Sequence, residues 1–218
     1  MTAQSPKYRP TWLVLLSTLM LLAGGYSLVA GLLKLRNPAT ILMVGASDTA
    51  DSQAEVDLDR QLAEARSAAV GPHRTGLRIE AGAEVALALF TLYATAAVLA
   101  RDLRGRALSL AVGGLGIVYQ LAVLPLYLSV SQAFAARGST LLARSILRNL
   151  AEAPTDLTTE QVTLRLHSAI VGGPLVAAAA GIVGSLLLIV MFGGRRGRAL
   201  YGIAKPLDNE RRRERREP

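Results

Sequence analysis

Four long runs of apolar residues alternate with polar segments along this chain. The runs cover residues 11–33, 79–100, 107–132 and 169–192. Each has about 20 or more residues, which at a rise of about 1.5 Å per residue is enough to cross a hydrocarbon core of roughly 30 Å. The pattern predicts an all-α membrane protein, a bundle of four transmembrane helices. The first run is longer than the apolar region of a cleaved signal peptide, which has about 7–15 residues, so we expect it to remain as a helix.

The polar segments divide the rest of the chain into ends, loops and a turn. They are an N-terminus (1–10), a first long loop (34–78), a short charged turn (101–106), a second long loop (133–168) and a basic tail (193–218). The short turn makes the second and third runs an antiparallel hairpin.

The first long loop is predicted to contain an amphipathic helix from residue 52 to residue 70. Ser52 and Glu55 have the spacing of a capping box, and Gly71 with Pro72 is a stop signal. Its apolar stripe consists of Ala54, Leu58, Leu62, Ala65 and Ala69. Such a helix can lie on the bundle, on the membrane or in solvent.

The second long loop is predicted to contain another amphipathic helix, over residues 139–154, which Pro154 ends. Its apolar face has Leu142, Ile146 and Leu150. Thr158 and Gln161 then form a capping-box pattern for a helix that runs through His167 into the fourth span. The two loops together predict a small helical cap on one side of the membrane.

The distribution of lysine and arginine predicts the orientation, because short cytoplasmic loops carry an excess of these residues. The N-terminus, the short turn and the tail hold 14 of them in 42 residues, whereas the two long loops hold 10 in 81 residues. Both termini are therefore predicted to be cytoplasmic and the long loops to be outside. The abundance of Ala, Leu, Gly and Arg favours a bacterial inner membrane.

Composition excludes several kinds of chemistry. The chain has no cysteine and two histidines, so disulfides, thiolate metal sites and haem held between two intramembrane histidines are excluded. It has no nucleophile–base set, phosphate-binding loop or metal-binding helix motif. We therefore predict a protein that is not an enzyme and has no metal or cofactor.

The tail is rich in arginine and poor in apolar residues, with Arg211, Arg212, Arg213, Arg215 and Arg216 close together. Such a run attracts anionic lipid headgroups. It has no folded nucleic-acid-binding motif around it, so we predict no nucleic-acid partner.

Small residues at a spacing of four form an unbroken stripe on the fourth span: Ala169, Gly173, Ala177, Gly181 and Ser185. In lipid, small residues allow helices to approach closely. We expect this stripe to pack helices within the monomer; contact with a partner membrane protein or with a second copy is the alternative. A shorter stripe, Ala23, Ser27 and Gly31, lies on the first span, and Gly113, Gly114 and Gly116 begin the third.

A few polar residues at membrane depth are candidates for a site, because such groups are costly there and tend to face an interior or a cavity. Glu80 and Glu84 share one helical face and could hold a cation or a proton, with His167 nearby. The alternative is that they are interfacial and pair with Arg78 and Arg165.

Tyr119 and Gln120 lie near the middle of the third span. There they could bond a neighbouring helix or line a cavity.

The sequence favours two functions over a third, an enzyme acting on a lipid, for which Glu80, Glu84 and His167 are the only set of acids and histidine available. The first is a non-catalytic scaffold or accessory subunit of a membrane complex. The second is a small transporter or channel for an apolar molecule or a lipid, which requires a connected cavity among the spans.

Overall fold

The computed structural model describes residues 11–42, 53–100, 102–149 and 158–201, and this part of the chain is all-helical. In chain order its six α-helices are α1 (Thr11–Arg36), α2 (Gln53–Val70), α3 (Arg74–Leu99), α4 (Arg104–Asn149), α5 (Thr159–Gly193) and α6 (Arg195–Leu200). Short 3₁₀ turns at Pro38–Leu42 and Gly71–His73 follow α1 and α2.

Four of these helices, α1, α3, α4 and α5, contain windows long and apolar enough to cross a membrane. The described part of the chain therefore has four candidate spans, the predicted number, as expected of a multi-pass membrane protein. At the terminal end of the bundle, α1 begins, α3 turns into α4 and α5 ends. At the opposite end, the cap end, lie α2, the last turns of α4 and the first turns of α5.

The amphipathic helix of the first loop is present as α2, which ends at Val70, directly before the predicted stop signal. Leu62, Ala65 and Ala69 of the predicted stripe are buried against α4, and Leu58 packs beside them. Of the three predicted alternatives, the bundle, the membrane and solvent, this helix therefore lies on the bundle. Ser52 is outside the described residues, so the predicted capping box is not observed.

The structure differs from the prediction in the second loop. We predicted a third span over residues 107–132 and a separate amphipathic helix over residues 139–154, but residues 107–132 and 139–149 belong to the single 46-residue helix α4. At about 1.5 Å per residue this helix is about 69 Å long, much longer than a bilayer core is thick. No proline follows Pro125 within α4, and the buried face continues through Val130, Phe134 and Leu142 against α2. Leu150 and Pro154 are outside the described residues.

The second predicted capping box is confirmed. Thr158 accepts a hydrogen bond from the backbone N–H of Gln161, and the Gln161 side chain accepts one from the backbone of Thr158. From this cap, α5 runs without a break through His167 to Gly193. The helix α5 therefore extends beyond the span predicted over residues 169–192, and α1 and α3 likewise extend beyond the limits of the predicted spans at the cap end.

The helices pack in the order α1, α3, α4, α5, with α4 in contact with α2, α3 and α5. Two glycines let α1 approach α3: a Cβ at Gly24 would meet Leu92, and one at Gly31 would meet Val85. The predicted stripe on α1 is thus shifted, because Ala23 is exposed and Gly24 is buried in its place.

Two clusters of buried side chains lie at the two ends of the bundle. At the terminal end, Leu13, Leu16 and Met20 of α1 pack with Val98 and Phe192. Trp12 meets the Phe192 ring edge-on, at 6.4 Å between centroids. The second cluster joins α2 to α4 at the cap end. Between the two clusters, nearer the cap end, lies a group of polar side chains.

Candidate functional site

Three helices bring five polar side chains together in the cap-end half of the bundle. They are Lys34 of α1, Glu80 and Glu84 of α3, and Tyr119 and Tyr127 of α4. We call them the polar cluster. Glu80 and Glu84 are one helical turn apart and share a face of α3. Lys34 is two residues from the end of α1, and α1 and α3 pack side by side.

Lys34 Nζ is the centre of this hydrogen-bonded network. It donates to Glu84 Oε2 at 2.5 Å, to Tyr127 Oη at 2.8 Å and to Glu80 Oε1 at 3.3 Å. It also lies 5.4 Å from the centre of the Tyr127 ring, within the range of a cation–π contact.

Glu80 Oε1 is the shared acceptor. Tyr119 donates to it at 2.5 Å and Tyr127 at 2.6 Å, in addition to the bond from Lys34. The other oxygen, Glu80 Oε2, is buried and has no hydrogen-bond partner among the described residues. The two tyrosines thus hold one side of this carboxylate and leave the other side without a donor.

The cluster is largely withdrawn from solvent. The side chains of Glu80, Glu84 and Lys34 have 3%, 13% and 17% of their surface exposed. With all three groups ionised the cluster carries a net charge of −1, because one ammonium faces two carboxylates. Charges at such depth are expensive and persist when they are paired and hydrogen-bonded, which is the arrangement that Lys34 and the tyrosines provide.

A cleft with a volume of about 710 Å³ adjoins the cluster. Its walls come from α1, the turn after α1, α4 and α5, and Lys34, Glu84, Tyr119 and Tyr127 of the cluster contribute to them. The volume is within the range of about 300–1,000 Å³ typical of small-molecule sites. Apolar side chains such as Val123, Leu124 and Phe134 form much of the remaining lining.

The cleft opens between α1 and α5 onto the apolar surface of the bundle. Tyr26 and Val29 of α1 line it and are 78% and 59% exposed. Leu33, one turn further along α1, also lines it and is 51% exposed. The cleft is therefore open at the side of the bundle, along a surface formed by apolar residues.

The small-residue stripe of α5 divides into two parts. Gly173 and Ala177 line the cleft, and an added Cβ at Gly173 would meet no atom within 4 Å. Gly181 instead lies against the side chain of Gln120, and Ser185 lies against Gly116 of α4. The stripe therefore packs α5 on α4 toward the terminal end and borders open space toward the cap end. Ala169, its first member, is exposed.

The structure brings together part of the predicted site. Glu80, Glu84 and Tyr119 meet in the cluster, and Gln120 lines the cleft beside them. His167 is exposed on α5 and is not among the residues that line the cleft or bond the cluster. Its predicted place beside the two carboxylates is taken by Lys34. The described residues contain no group of three or more acidic or histidine side chains placed to hold a metal ion.

The alternative prediction, that the carboxylates pair with Arg78 and Arg165, is wrong. Arg78 and Arg165 are exposed, and the ion pairs of Glu80 and Glu84 are both with Lys34. From the sequence, Lys34 reads as a residue that flanks the first span. Its position in the sequence could have indicated the ion pairs. Lys34 lies at the cap end of the first span, and Glu80 and Glu84 lie at the cap end of the second, so all three are at a similar height in the bundle.

The arginines predicted to contact lipid headgroups, Arg211, Arg212, Arg213, Arg215 and Arg216, are outside the described residues. Comparison with known proteins adds no relative: no family model matches the chain, and neither a curated protein nor a solved structure matches it.

Proposed function

We propose that this protein binds an amphiphilic membrane molecule in the cleft and serves as a carrier or small transporter for it. The observation that carries the proposal is the continuity of an apolar cleft of about 710 Å³ with a buried, charged, hydrogen-bonded cluster. An apolar chain fits the lining of the cleft, and a polar group fits the end formed by Lys34, Glu84 and the tyrosines. Three charged side chains that are largely withdrawn from solvent beside an open cleft are costly to keep for packing alone.

The place of the cleft defines the molecules that can reach it. Its lateral opening between α1 and α5 admits a ligand from the membrane, as the exposure of Tyr26 and Val29 indicates. From the excess of lysine and arginine at the terminal end we infer that this end is cytoplasmic. In this orientation the cleft faces the outer leaflet, and the cap formed by α2 and the ends of α4 and α5 lies outside.

The experiment is photolabelling in bilayer nanodiscs with a single-chain amphiphile that carries a diazirine in its alkyl chain, followed by peptide mapping. We expect label on the cleft-lining segments of α1, α4 and α5. Ala177→Phe should reduce this labelling about tenfold or more, because the ring occupies the space that Ala177 leaves open. The matched control is Ala180→Phe on the same helix, at an exposed position that does not line the cleft.

Equal labelling of the cleft segments in the two variants and the unchanged protein would contradict the proposal. A transport role adds a second expectation. Vesicles containing the protein should move the labelled amphiphile between leaflets faster than protein-free vesicles, and Ala177→Phe should slow this movement whereas Ala180→Phe should not.

A second candidate is the accessory subunit or scaffold that the sequence also predicts. One observation favours it: an added Cβ at Gly172 or Gly184 of α5 would meet no atom within 4 Å, and Ala180 between them is exposed. These small residues could receive a helix of a partner or of a second copy. Gly184→Leu would then disrupt an assembly isolated in mild detergent. Recovery of the unchanged protein only as a monomer would contradict this candidate.

A further inference from the structure

We infer that the ligand of the cleft carries a cationic group, a protonated amine, for which Glu84 is the acceptor. This inference rests on the proposed function and adds the chemical class of the ligand. It follows from an account of which hydrogen-bond donors and acceptors in the polar cluster are already engaged.

The donors of the cluster are all committed. An ammonium group has three N–H donors, and those of Lys34 are directed to Glu80, Glu84 and Tyr127. The hydroxyl protons of Tyr119 and Tyr127 are both donated to Glu80 Oε1. A carboxylate or phosphate headgroup placed against the cluster would therefore find no free donor among its five side chains and would have to break one of their hydrogen bonds.

Acceptors, in contrast, are available. Glu84 lines the cleft and receives its bond from Lys34 on Oε2, and no described residue donates to its Oε1. The buried Oε2 of Glu80 also lacks a donor. An oxygen of an ionised carboxylate accepts hydrogen bonds only, so the group that completes this cluster is a donor.

The charges around Glu84 also favour a cationic ligand. The charged and titratable groups that face Glu84 are Lys34 from α1, Glu80 from α3, and Tyr119 and Tyr127 from α4. The part of α5 that lines the cleft contributes Ile170, Gly173, Pro174, Ala177 and Ala178, none of which is charged. With all three groups ionised, the cluster has one carboxylate charge more than its ammonium balances, and a cationic ligand beside Glu84 would favour that ionised state.

The test uses three amphiphiles with the same diazirine-bearing alkyl chain and different headgroups: a primary amine, a hydroxyl and a carboxylate. Each is added to nanodiscs at the same measured mole fraction in the lipid, so that partitioning does not differ between probes. We expect the amine probe to label the cleft segments at least about tenfold more than the other two, since a charge-assisted hydrogen bond adds this much or more to affinity. Glu84→Gln should lower amine labelling to the level of the hydroxyl probe, and Glu84→Asp should keep the preference.

The outcomes separate this inference from the proposed function. Equal labelling of the cleft by all three probes in the unchanged protein would overturn the inference and leave the proposed function standing. A preference for the carboxylate probe would also overturn it. Absence of cleft labelling by any probe would remove both. If Glu84→Gln does not fold, as judged by size-exclusion chromatography, the headgroup comparison in the unchanged protein decides the matter alone, and Glu84→Asp checks the position of the charge.

Discussion

The two halves of this bundle use similar residues to opposite effect. Toward the terminal end, Gly113 and Gly116 of α4 face Ser185 and Ile189 of α5, and the helices are in close contact. Toward the cap end, Gly173 of α5 belongs to the same small-residue pattern but borders the cleft. In lipid, where helices gain little from burying apolar surface against each other, a small residue creates contact only if the opposite helix fills the space.

The polar content of the halves differs in the same way. The buried cluster at the terminal end is formed by apolar side chains and Tyr201, whereas the cap-end half holds two carboxylates and an ammonium beside the cleft. The terminal end is therefore held by apolar packing, whereas the cap-end half has buried charged side chains in addition to its own apolar cluster. Four substitutions test this division, from the largest expected effect to the smallest.

Lys34→Met should have the largest effect, since it leaves two carboxylates without their cation. Loss of one partner from a buried ion pair costs about 3–5 kcal/mol in unfolding free energy. The measurement is unfolding by denaturing detergent in mixed micelles. Arg36→Met, at an exposed position two residues further along α1, is the control and should have little effect. Adding Glu84→Gln to Lys34→Met should restore part of the loss; a loss that the second change increases would contradict the role of Lys34 as counterion.

Tyr127→Phe should reduce the unfolding free energy by about 1.5–3 kcal/mol, the range for hydrogen bonds to charged groups. The hydroxyl accepts a hydrogen bond from Lys34 and donates one to Glu80, so its removal takes one hydrogen bond from each of these charged groups. Tyr93→Phe on α3 is the matched control, because that ring is 58% exposed. Both variants are measured in the same unfolding titration. An equal loss of unfolding free energy in the two would contradict a stabilising role for the Tyr127 hydroxyl in the cluster.

Gly113→Ala tests the terminal end. The added methyl group would lie 2.9 Å from the backbone oxygen of Ser185, which cannot rotate away, and overpacking of this kind costs about 1–3 kcal/mol. The neighbouring Gly114 has open space around its Cβ position, so Gly114→Ala should be neutral or stabilising by up to about 1 kcal/mol. Thermal unfolding of the two variants should therefore shift in opposite directions or differ clearly in size.

Ser17→Ala should have the smallest effect, and its sign is the informative part. The Ser17 hydroxyl is buried in α1 at the terminal end and has no partner among the described residues. Removing an unsatisfied polar group should leave the unfolding free energy unchanged or raise it by about 1 kcal/mol. Destabilisation by more than that, measured in the titration used for Lys34→Met, would mean that this half depends on a polar contact after all.

The presence of the helices could be predicted from the sequence more accurately than the residues at which they end. The four spans, α2 and the capping box at Thr158 follow from local patterns that need no knowledge of neighbours. The continuation of α4 across the expected loop was missed, because a surface-like amphipathic pattern over residues 139–149 does not reveal that α2 covers its apolar face.

The candidate site was predicted in part for a related reason. Glu80, Glu84 and Tyr119 stood out as polar groups at membrane depth. Lys34 and Tyr127 did not, because a lysine at the end of a span and a tyrosine near an interface are ordinary there. What makes them site residues is the lateral contact of α1 with α3 and of α3 with α4.

The sequence by itself determined that this chain has four helices long and apolar enough to cross a membrane, because the length and polarity of each run are local properties of the chain. Only the tertiary structure decided which polar side chains meet between the helices and which part of the α5 stripe is left open as a cleft. Those outcomes depend on how neighbouring helices are placed side by side, and a residue's own sequence position carries no information about the helix that will lie opposite to it.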